Sequence, residues 1–300
     1  MTDPLPSWND GETKRQIIAL VRAMADDKSD TFVPPESRIA VFDNDGTLWC
    51  EKPAYIQASF LLERWREMVQ QNPRLGESQP YKAAADGDMA YFADLYAHIE
   101  EILRGVGEAF QAITPEEFDE AARQWFASTR HPRFGVPYTE LIYQPMRELL
   151  DLVRNNGFKV FIATGGGRDF VRVVSEALYA VPRECVIGSA AKLEYRDGKV
   201  LRLPELVQPI DDGPGKPIHI YERIGRPPVF VAGNSDGDIQ MLEMARFGLL
   251  LYHDDAEREY SYDAGAEKAL EAARRNGWLI VSMRSDFAQV FAPKRGARNG

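Results

Sequence analysis

Residues 41–48 read Val-Phe-Asp-Asn-Asp-Gly-Thr-Leu and place two carboxylates two positions apart, where an apolar run ends in a glycine turn. Residues 38–42 predict a short buried strand, in which side chains alternate with period two. Asp43 and Asp45 should therefore leave the strand end on the same side. Two anions held this close repel each other, and a divalent cation is the natural compensation.

Two carboxylates in unlike surroundings can divide the steps of phosphoryl transfer. Asp43 would be the nucleophile that attacks phosphorus and forms an aspartyl phosphate. Asp45 would protonate the departing alcohol and then deprotonate the water that hydrolyses the intermediate. The alternative interpretation is a turn in which Asp and Gly only serve local backbone geometry.

A second segment joins a hydroxyl group to successive glycines at the end of a predicted strand. The strand-like run 158–163 leads to Thr164, Gly165 and Gly166, before a helical stretch at 169–179. A hydroxyl and unhindered backbone N–H groups in this position can hold phosphate oxygens. The spacing does not match the G-x-G-x-x-G dinucleotide pattern, and a plain glycine-rich turn is the alternative.

A third segment contains a lysine between helix-breaking residues. Lys216 lies within Gly-Pro-Gly-Lys-Pro at 213–217, just before a helical stretch at 218–224. A fixed cation there could neutralise phosphate or aspartate charge. The alternative is an ordinary lysine on the solvated surface.

A fourth segment places oxygen-rich side chains after another apolar strand. The run 229–232 is followed by a glycine and then by Asn234, Asp236 and Asp238. Such a loop offers hard oxygen ligands for Mg²⁺. Asp236 or Asp238 could also cap the helix predicted at 239–245, and the two roles are compatible.

Taken in order, the four segments resemble the motifs of the haloacid dehalogenase-like (HAD) hydrolase superfamily, most closely its phosphoserine phosphatase-like branch, over residues 38–281. The resemblance implies an α/β fold: a Rossmann-like, mostly parallel sheet core with an inserted helical cap. It also implies Mg²⁺ as cofactor. The implied catalytic residues are Asp43, Asp45, Thr164 and Lys216, the implied phosphate-binding residues are Gly165 and Gly166, and the implied metal-binding residues are Asp43, Asp45, Asn234, Asp236 and Asp238.

The sequence departs from the family pattern at one metal-binding position. The fourth motif usually begins with an acid that ligates Mg²⁺, and this chain has Asn234 there. An amide oxygen can still coordinate the ion, but the site is one negative charge poorer. Asp236 or Asp238 would then take part directly or through water.

The long interval between the first two motifs predicts an inserted domain. From Asp43 to Thr164 the chain advances 121 positions, and residues 54–70, 88–103, 114–128 and 139–155 have apolar residues at helical spacing. Thr114, Pro115 and Glu117 predict a capped helix start. The last helix should return the chain to the core. We therefore expect a core of residues 1–49 and 138–300 and a helical cap of residues 50–137, joined by linkers at 49–53 and 130–137. Further strands are expected at 184–188, 229–232, 248–252 and 278–282, with a hairpin at 192–203.

Composition and net charge limit the classes of partner that are expected for this chain. The chain has 300 residues, 44% hydrophobic residues and a net charge of -10, which disfavours a nucleic-acid surface. No apolar run approaches the roughly 18 residues of a membrane span, and the first eight residues resemble no secretory signal, so a cytoplasmic location is expected. Cys50 and Cys185 show no metal-site spacing and are expected to be reduced thiols.

The expected function is that of a Mg²⁺-dependent phosphatase acting on a small phosphorylated metabolite. A phosphotransferase or phosphonatase is the alternative within the superfamily, although Lys52 and Lys82 are poor candidates for the Schiff-base lysine of a phosphonatase. A dehalogenase would need neither Asp45 nor the metal loop. A non-catalytic phosphate-binding protein is the alternative from another class, and Asn234 is the feature in its favour.

The substrate and the oligomeric state do not follow from the sequence. Phosphoserine phosphatases place a glutamate at the cap entry near the substrate amine, and Glu51 lies one residue nearer the nucleophile than that position. Glu51 is accordingly a predicted substrate-binding residue. Further candidates in the cap are the aromatic residues Trp65, Tyr91, Tyr96 and Trp125, for which a place in the cap's own core is the alternative.

Overall fold

The computed structural model describes residues 2–93 and 97–292, and its central feature is a parallel sheet of six strands in the order β3-β2-β1-β6-β7-β8. A separate antiparallel hairpin joins β4 to β5. The Rossmann-like α/β class is therefore confirmed. The strands are β1 Ile39–Phe42, β2 Lys159–Gly167, β3 Val186–Ser189, β4 Ala191–Arg196, β5 Lys199–Leu206, β6 Phe230–Gly233, β7 Phe247–Tyr252 and β8 Leu279–Ser282.

Helices cover both faces of the sheet and also form the inserted region between β1 and β2. They are α1 Glu12–Ala25, α2 Ile56–Gln71, α3 Tyr81–Asp86, α4 Met89–Ala93, α5 Ile99–Ala109, α6 Pro115–Ser128, α7 Gln144–Asn155, α8 Arg168–Arg172, α9 Ser175–Tyr179, α10 Gly215–Ile224, α11 Ile239–Glu243, α12 Glu267–Asn276 and α13 Met283–Asp286. Within the described ranges, no helix is both long and apolar enough to cross a membrane.

The central strand β1 brings three functional loops to one edge of the sheet. All four of its residues are buried, as expected for a parallel strand covered on both faces. Val41 pairs with Phe161 of β2 on one side and with Val231 of β6 on the other. Because all three strands are parallel, the loops after them meet at their carboxyl ends, where ligands bind in open α/β sheets.

Several predicted helices differ from those observed. The helix expected at 88–103 is two shorter helices, α4 and α5, and residues 94–96 between them lie outside the described residues. The helix expected at 169–179 is likewise divided into α8 and α9. The capping box at the start of α6 is confirmed, because Thr114 Oγ1 accepts from Glu117 N at 3.2 Å and Glu117 Oε2 accepts from Thr114 N at 2.7 Å.

Aromatic side chains hold the inserted helices against the core. Phe60 of α2 stacks on Phe110 at 4.9 Å between ring centroids and on Phe170 of α8 at 5.3 Å. Phe126 of α6 stacks on the same Phe170 at 4.8 Å. Such pairs contribute about 0.5–1.5 kcal/mol each beyond the burial of their surface. The inserted helices therefore pack directly on the helix that follows the glycine loop.

The β4–β5 hairpin is also bonded to the inserted region through the backbone. Ala112 N donates to Arg202 O at 2.8 Å, and Arg202 N donates to Ile113 O at 2.9 Å. A side chain on Gly107 of α5 would overlap the carbonyl of Pro204, so this close approach requires glycine. The division into a core of 1–49 and 138–300 and a cap of 50–137 stays a prediction, and the hairpin is a second connection between the two.

Candidate active site

Asp43 lies at the end of β1 with its carboxylate against a buried ammonium group. Lys216 Nζ donates to Asp43 Oδ1 at 2.7 Å, to Asp238 Oδ1 at 2.6 Å and to Ala163 O at 3.1 Å. Burial acts to lower the pKa of Lys216, but the charges of Asp238 and Asp43 outweigh it and raise that pKa well above its usual value. The lysine is therefore a fixed cation shared by two carboxylates.

Burial has the opposite effect on the pKa of the Asp43 carboxyl group. Burial raises the pKa of Asp43 above its usual range, the charge of Asp238 adds to this, and the charge of Lys216 opposes it. A carboxyl group used as a nucleophile has to be ionised. One ammonium shared between two carboxylates leaves the site with excess negative charge, which further positive charge would relieve.

Asp45 has different neighbours, although it is only two residues away. Its Oδ1 accepts from Trp49 Nε1 at 2.8 Å, and its Oδ2 accepts from Thr164 Oγ1 at 3.3 Å. Burial raises the pKa of Asp45 to about 6, and the charge of Glu51 acts in the same direction. A carboxyl group with this pKa can hold a proton and release it close to neutral pH.

The glycine loop at the end of β2 approaches the two aspartates closely. Gly166 N donates to Thr164 Oγ1 at 3.1 Å, and Gly167 N donates to Gln57 Oε1 at 2.5 Å. A side chain on Gly166 would lie 3.6 Å from Asp45 Oδ2, and Gly165 lies beside Gly166 in the same loop. The contact between Gln57 of α2 and this loop was not predicted from the sequence.

Three oxygen positions converge beside Asp43. One end of the Asn234 side-chain amide lies 2.9 Å from the backbone oxygen of Asp45, 3.3 Å from Asp43 Oδ2 and 3.1 Å from Thr47 Oγ1. With its oxygen at that end, the amide completes a group of three acceptors. Neighbouring ligands of an octahedral Mg²⁺ ion are about 2.9 Å apart. The two separations measured from the Asn234 amide are close to this spacing, so Asp43, Asn234 and the Asp45 carbonyl could hold a Mg²⁺ ion.

The same amide can also satisfy its neighbours without an ion. With the nitrogen at that end, Asn234 donates to Asp43 Oδ2, to the Asp45 carbonyl and to Thr47. Among the described residues, no group of three or more His, Cys, Asp or Glu side chains could hold a metal ion. The Asn234 site differs from such a group because two of its three oxygens come from an amide and a backbone carbonyl.

Asp236 and Asp238 are engaged in structural bonds. Asp236 Oδ1 accepts from Ala269 N at 2.8 Å, within α12. Asp238 Oδ2 accepts from Asn234 N at 2.9 Å and from Ser235 N at 3.0 Å, while its Oδ1 bonds Lys216. Their assignment as Mg²⁺ ligands stays a prediction, and the observed bonds give them the roles of capping a helix and fixing a loop and a lysine.

Glu51 is brought into the site next to Asn234. Its Oε1 lies 3.5 Å from Asn234 Nδ2 and 3.8 Å from Lys52 Nζ, and the residue is 5% exposed. Gly46 has a φ of +74°, and a side chain there would lie 2.9 Å from the Glu51 carboxyl carbon. Glu51 therefore packs against the turn that contains the two aspartates. The charge of Glu51, followed by burial, raises the pKa of Tyr55.

The described aromatic candidates of the cap pack against other side chains rather than against one another. Trp65 stacks on Phe92 at 5.8 Å, and Trp125 stacks on Tyr138 at 5.2 Å. Tyr91 donates through its hydroxyl to Glu101 at 2.6 Å. These contacts are those of a cap core, and Tyr96 lies outside the described residues.

A buried histidine under the catalytic turn was not predicted from the sequence. His253 Nε2 lies 2.7 Å from Gly46 O, and its Nδ1 lies 3.3 Å from Glu259 Oε2. Glu259 Oε1 also accepts from Cys50 Sγ at 3.0 Å and from Tyr143 OH at 3.1 Å. Burial acts to raise the pKa of Glu259, but the hydrogen bond and charge of His253 lower it. Both cysteines are free and buried, as predicted.

Comparison with known proteins defines the class to which this fold and site belong. The chain matches the haloacid dehalogenase-like hydrolase family over residues 40–243, and it therefore belongs to that family. No curated protein matches the chain. The predicted superfamily is thus confirmed, and the chain is a hydrolase of this family.

Two solved structures, from Anaerococcus prevotii and Bordetella pertussis, show the same fold at low sequence identity. A conserved protein of unknown function from Anaerococcus prevotii DSM 20548 is 15% identical, with 94% of each chain covered and a TM-score of 0.60. A protein of unknown function from Bordetella pertussis Tohama I is 16% identical over 81% of this chain and 97% of its own, with a TM-score of 0.51. A phosphoserine phosphohydrolase-like protein from Francisella tularensis subsp. tularensis SCHU S4 is 14% identical over 81% of this chain and 94% of its own, with a TM-score of 0.44.

Proposed function

We propose that this hydrolase is a Mg²⁺-dependent phosphatase that cleaves a small phosphomonoester through an aspartyl phosphate on Asp43. The observation that carries the proposal is the pair of carboxyl groups at the end of β1. Asp43 is bonded to the Lys216 ammonium, whereas Asp45 has a pKa raised to about 6. One carboxyl group is placed for attack and the other for proton transfer.

In the first half-reaction a bond forms between an Asp43 oxygen and phosphorus while the bond from phosphorus to the ester oxygen breaks. Asp45 gives its proton to the departing alcohol. In the second half-reaction Asp45 takes a proton from water, the water oxygen bonds phosphorus, and the Asp43 carboxylate is released. Thr164 and the backbone N–H groups of Gly165 and Gly166 would hold the phosphate oxygens, and the Gly166 N–H would exchange its bond to Thr164 Oγ1 for one to phosphate.

Positive charge is needed throughout, because phosphate and two carboxylates share a buried site. Lys216 supplies one fixed charge. Mg²⁺ held by Asp43, Asn234 and the Asp45 carbonyl would neutralise charge on the phosphate and on Asp43. The inserted helices, which reach the glycine loop through Gln57, would exclude bulk water from the intermediate.

The phosphonatase alternative is not favoured by the lysines of the inserted region. Lys52 Nζ lies 4.4 Å from the ring centroid of Tyr262 and close to Glu51, and Lys82 pairs with Asp86 at the surface. A phosphotransferase would use the same Asp43 chemistry with an alcohol in place of water. Product analysis in the presence of an alcohol distinguishes it from a phosphatase.

The first experiment screens phosphate monoesters with and without Mg²⁺, using Asp43→Asn as the test variant. We expect a loss of turnover of about 10³-fold or more, because an amide cannot form the acyl phosphate. Asp151→Asn, an exposed carboxylate on α7, is the control and should retain full activity. Beryllium fluoride should form an adduct on Asp43. Substantial turnover by pure Asp43→Asn would refute the mechanism.

Substrate choice is proposed to involve Glu51, whose carboxylate would favour substrates carrying an amine or quaternary ammonium group. The test compares kcat/KM of Glu51→Gln with that of the parent on aminated and plain phosphomonoesters. We expect a selective loss on aminated substrates. An unchanged ratio between the two classes would remove the amine hypothesis. Glu63→Gln on α2 is the matched control.

The cytoplasmic location stays a prediction.

A further inference from the structure

A cavity lies along the edge strand β3, apart from the carboxylates of the candidate active site. It has a volume of about 230 Å³ and is bounded by β3, α8 and α10. Pockets for drug-sized ligands have volumes of about 300–1,000 Å³, so this cavity fits a smaller molecule. No role in the proposed reaction accounts for it.

The cavity is rich in guanidinium groups. Arg168, Arg172 and Arg223 line it, and Glu222 is the one carboxylate that lines it among the described residues. Asp169 lies close by, but it is shared, at 3.3 Å from Arg168 and from Arg172 and at 2.6 Å from Arg202. In a chain with a net charge of -10, this is a local excess of positive charge.

Backbone carbonyls hold two of these guanidinium groups, those of Arg172 and Arg223. Arg172 Nε donates to Arg183 O at 2.9 Å, and Arg223 Nε donates to Glu184 O at 2.7 Å. Burial lowers the pKa of Arg172, and repulsion from Arg168 lowers it further. The cations are thus held together against their mutual repulsion, which is the arrangement that an anion relieves.

Several donors in the cavity wall have no acceptor within residues 2–93 and 97–292. These are both terminal nitrogens of Arg168, Nη1 of Arg223 and Nε2 of His219. His219 is held by Asp211, whose Oδ1 lies 2.9 Å from Nδ1. Guanidinium groups bind phosphate through two parallel hydrogen bonds, so the wall provides donors of the kind that phosphate needs.

The remaining wall of the cavity is apolar. Val186, Ala190 and Val207 line it together with the charged groups. We propose that this cavity binds a small organic phosphate, with the phosphate on Arg168, Arg223 and His219 and the organic part against the three apolar residues. It is a site for an effector, separate from the reacting phosphate at Asp43.

The cavity is joined to the catalytic loop by direct packing, and this part of the inference rests on the proposed function. A side chain on Gly188 of β3 would lie 2.8 Å from Thr164 Cγ2 and 3.0 Å from the backbone of Arg168. Arg168 directly follows the glycine loop, and His219 lies three residues after Lys216 on α10. Occupation of the cavity therefore changes the position of groups that bind the reacting phosphate, and the coupling is reciprocal.

The binding test is a calorimetric titration of the full chain with inorganic phosphate in Mg²⁺ buffer. The parent should bind two phosphates per chain, and beryllium fluoride on Asp43 should remove one of them. Arg223→Ala should weaken the other about tenfold or more. Arg226→Ala, an exposed arginine just beyond α10, is the control and should bind as the parent does. Glu222→Gln should tighten the same site, because it removes the carboxylate that lines it.

Equal phosphate binding by Arg223→Ala and Arg226→Ala would overturn the inference, as would a parent that binds only the phosphate that beryllium fluoride removes. If beryllium fluoride removes no phosphate while the Arg223-dependent site persists, the proposed function fails and the cavity site stands. The coupling is tested by kinetics: phosphate should lower kcat in the parent and only raise the apparent KM in Arg223→Ala. A parent whose kcat does not respond overturns the coupling.

Discussion

Asp43 and Asp45 show how two identical side chains acquire different chemistry from their hydrogen-bond partners. Asp43 contacts an ammonium group, whereas Asp45 contacts an indole N–H and a hydroxyl. The partners differ because successive residues of the turn face different loops. The two carboxyl groups therefore differ in how readily they hold a proton. A nucleophile and a proton donor in one site need this difference.

The pH dependence of turnover should report Asp45. This group can donate a proton only while protonated, so the first half-reaction should slow as the pH rises through about 6. The hydrogen bond from Trp49 lowers the pKa of Asp45. Trp49→Phe should therefore shift the fall in rate to higher pH by about one unit. Profiles of kcat against pH measure the shift, with Trp278→Phe as control. If kcat falls at the same pH in Trp49→Phe as in the parent, another group is responsible for the pH dependence.

Asn234 predicts an unusual dependence of stability on Mg²⁺. In the metal-free protein the amide can donate to Asp43 and to the Asp45 carbonyl, which a carboxylate cannot do. Asn234→Asp should therefore lower the free energy of unfolding without Mg²⁺ by about 1–3 kcal/mol, and should gain more from added Mg²⁺ than the parent. Asn234→Ala should gain less.

Thermal unfolding with chelator and with Mg²⁺ measures both effects of the Asn234 variants. Asn72→Asp, an exposed substitution of the same kind, is the matched control. Equal Mg²⁺ dependence in the parent and both Asn234 variants would mean that Asn234 is not a ligand, and would shift the assignment to Asp236.

At the scale of elements, the sequence predicted features that depend on local chemistry. Apolar runs that end in glycine gave the three central strands and the loops after them, and Thr114 gave a helix start. The divisions at α4–α5 and α8–α9 were not predicted, because short helices owe their stability to tertiary packing rather than to spacing. His253 was also missed, since its partner Gly46 is 207 residues away and a lone histidine after a strand carries no local signal.

The link between the loop after β7 and the catalytic turn should be energetically large. His253 and Glu259 are both buried, so removing one partner leaves the other poorly compensated. We expect His253→Gln to lower the free energy of unfolding by about 3 kcal/mol. Urea unfolding in a double-mutant cycle with Glu259→Gln isolates the pair, and His98→Gln is the control. Additive effects of the two substitutions would contradict an energetic link.

At the scale of the whole molecule, the active site lies between the parallel sheet and the inserted helices. The sheet supplies the carboxylates, the lysine and the glycine loop, and the inserted helices supply Gln57 and the aromatic packing on Phe170. The common chemistry thus resides in one part of the chain. We expect the inserted helices to discriminate between substrates.

The backbone hydrogen bonds between Arg202 and residues 112–113 have a consequence for the turnover rate. Helices attached only by their linkers could swing aside freely after each turnover. If the inserted helices move when phosphate leaves, either the β4–β5 hairpin has to move with them or both hydrogen bonds have to break. In many enzymes product escape rather than bond cleavage limits the rate. We therefore expect movement of this hairpin, which holds no catalytic group, to limit the rate of product release and so the rate of turnover.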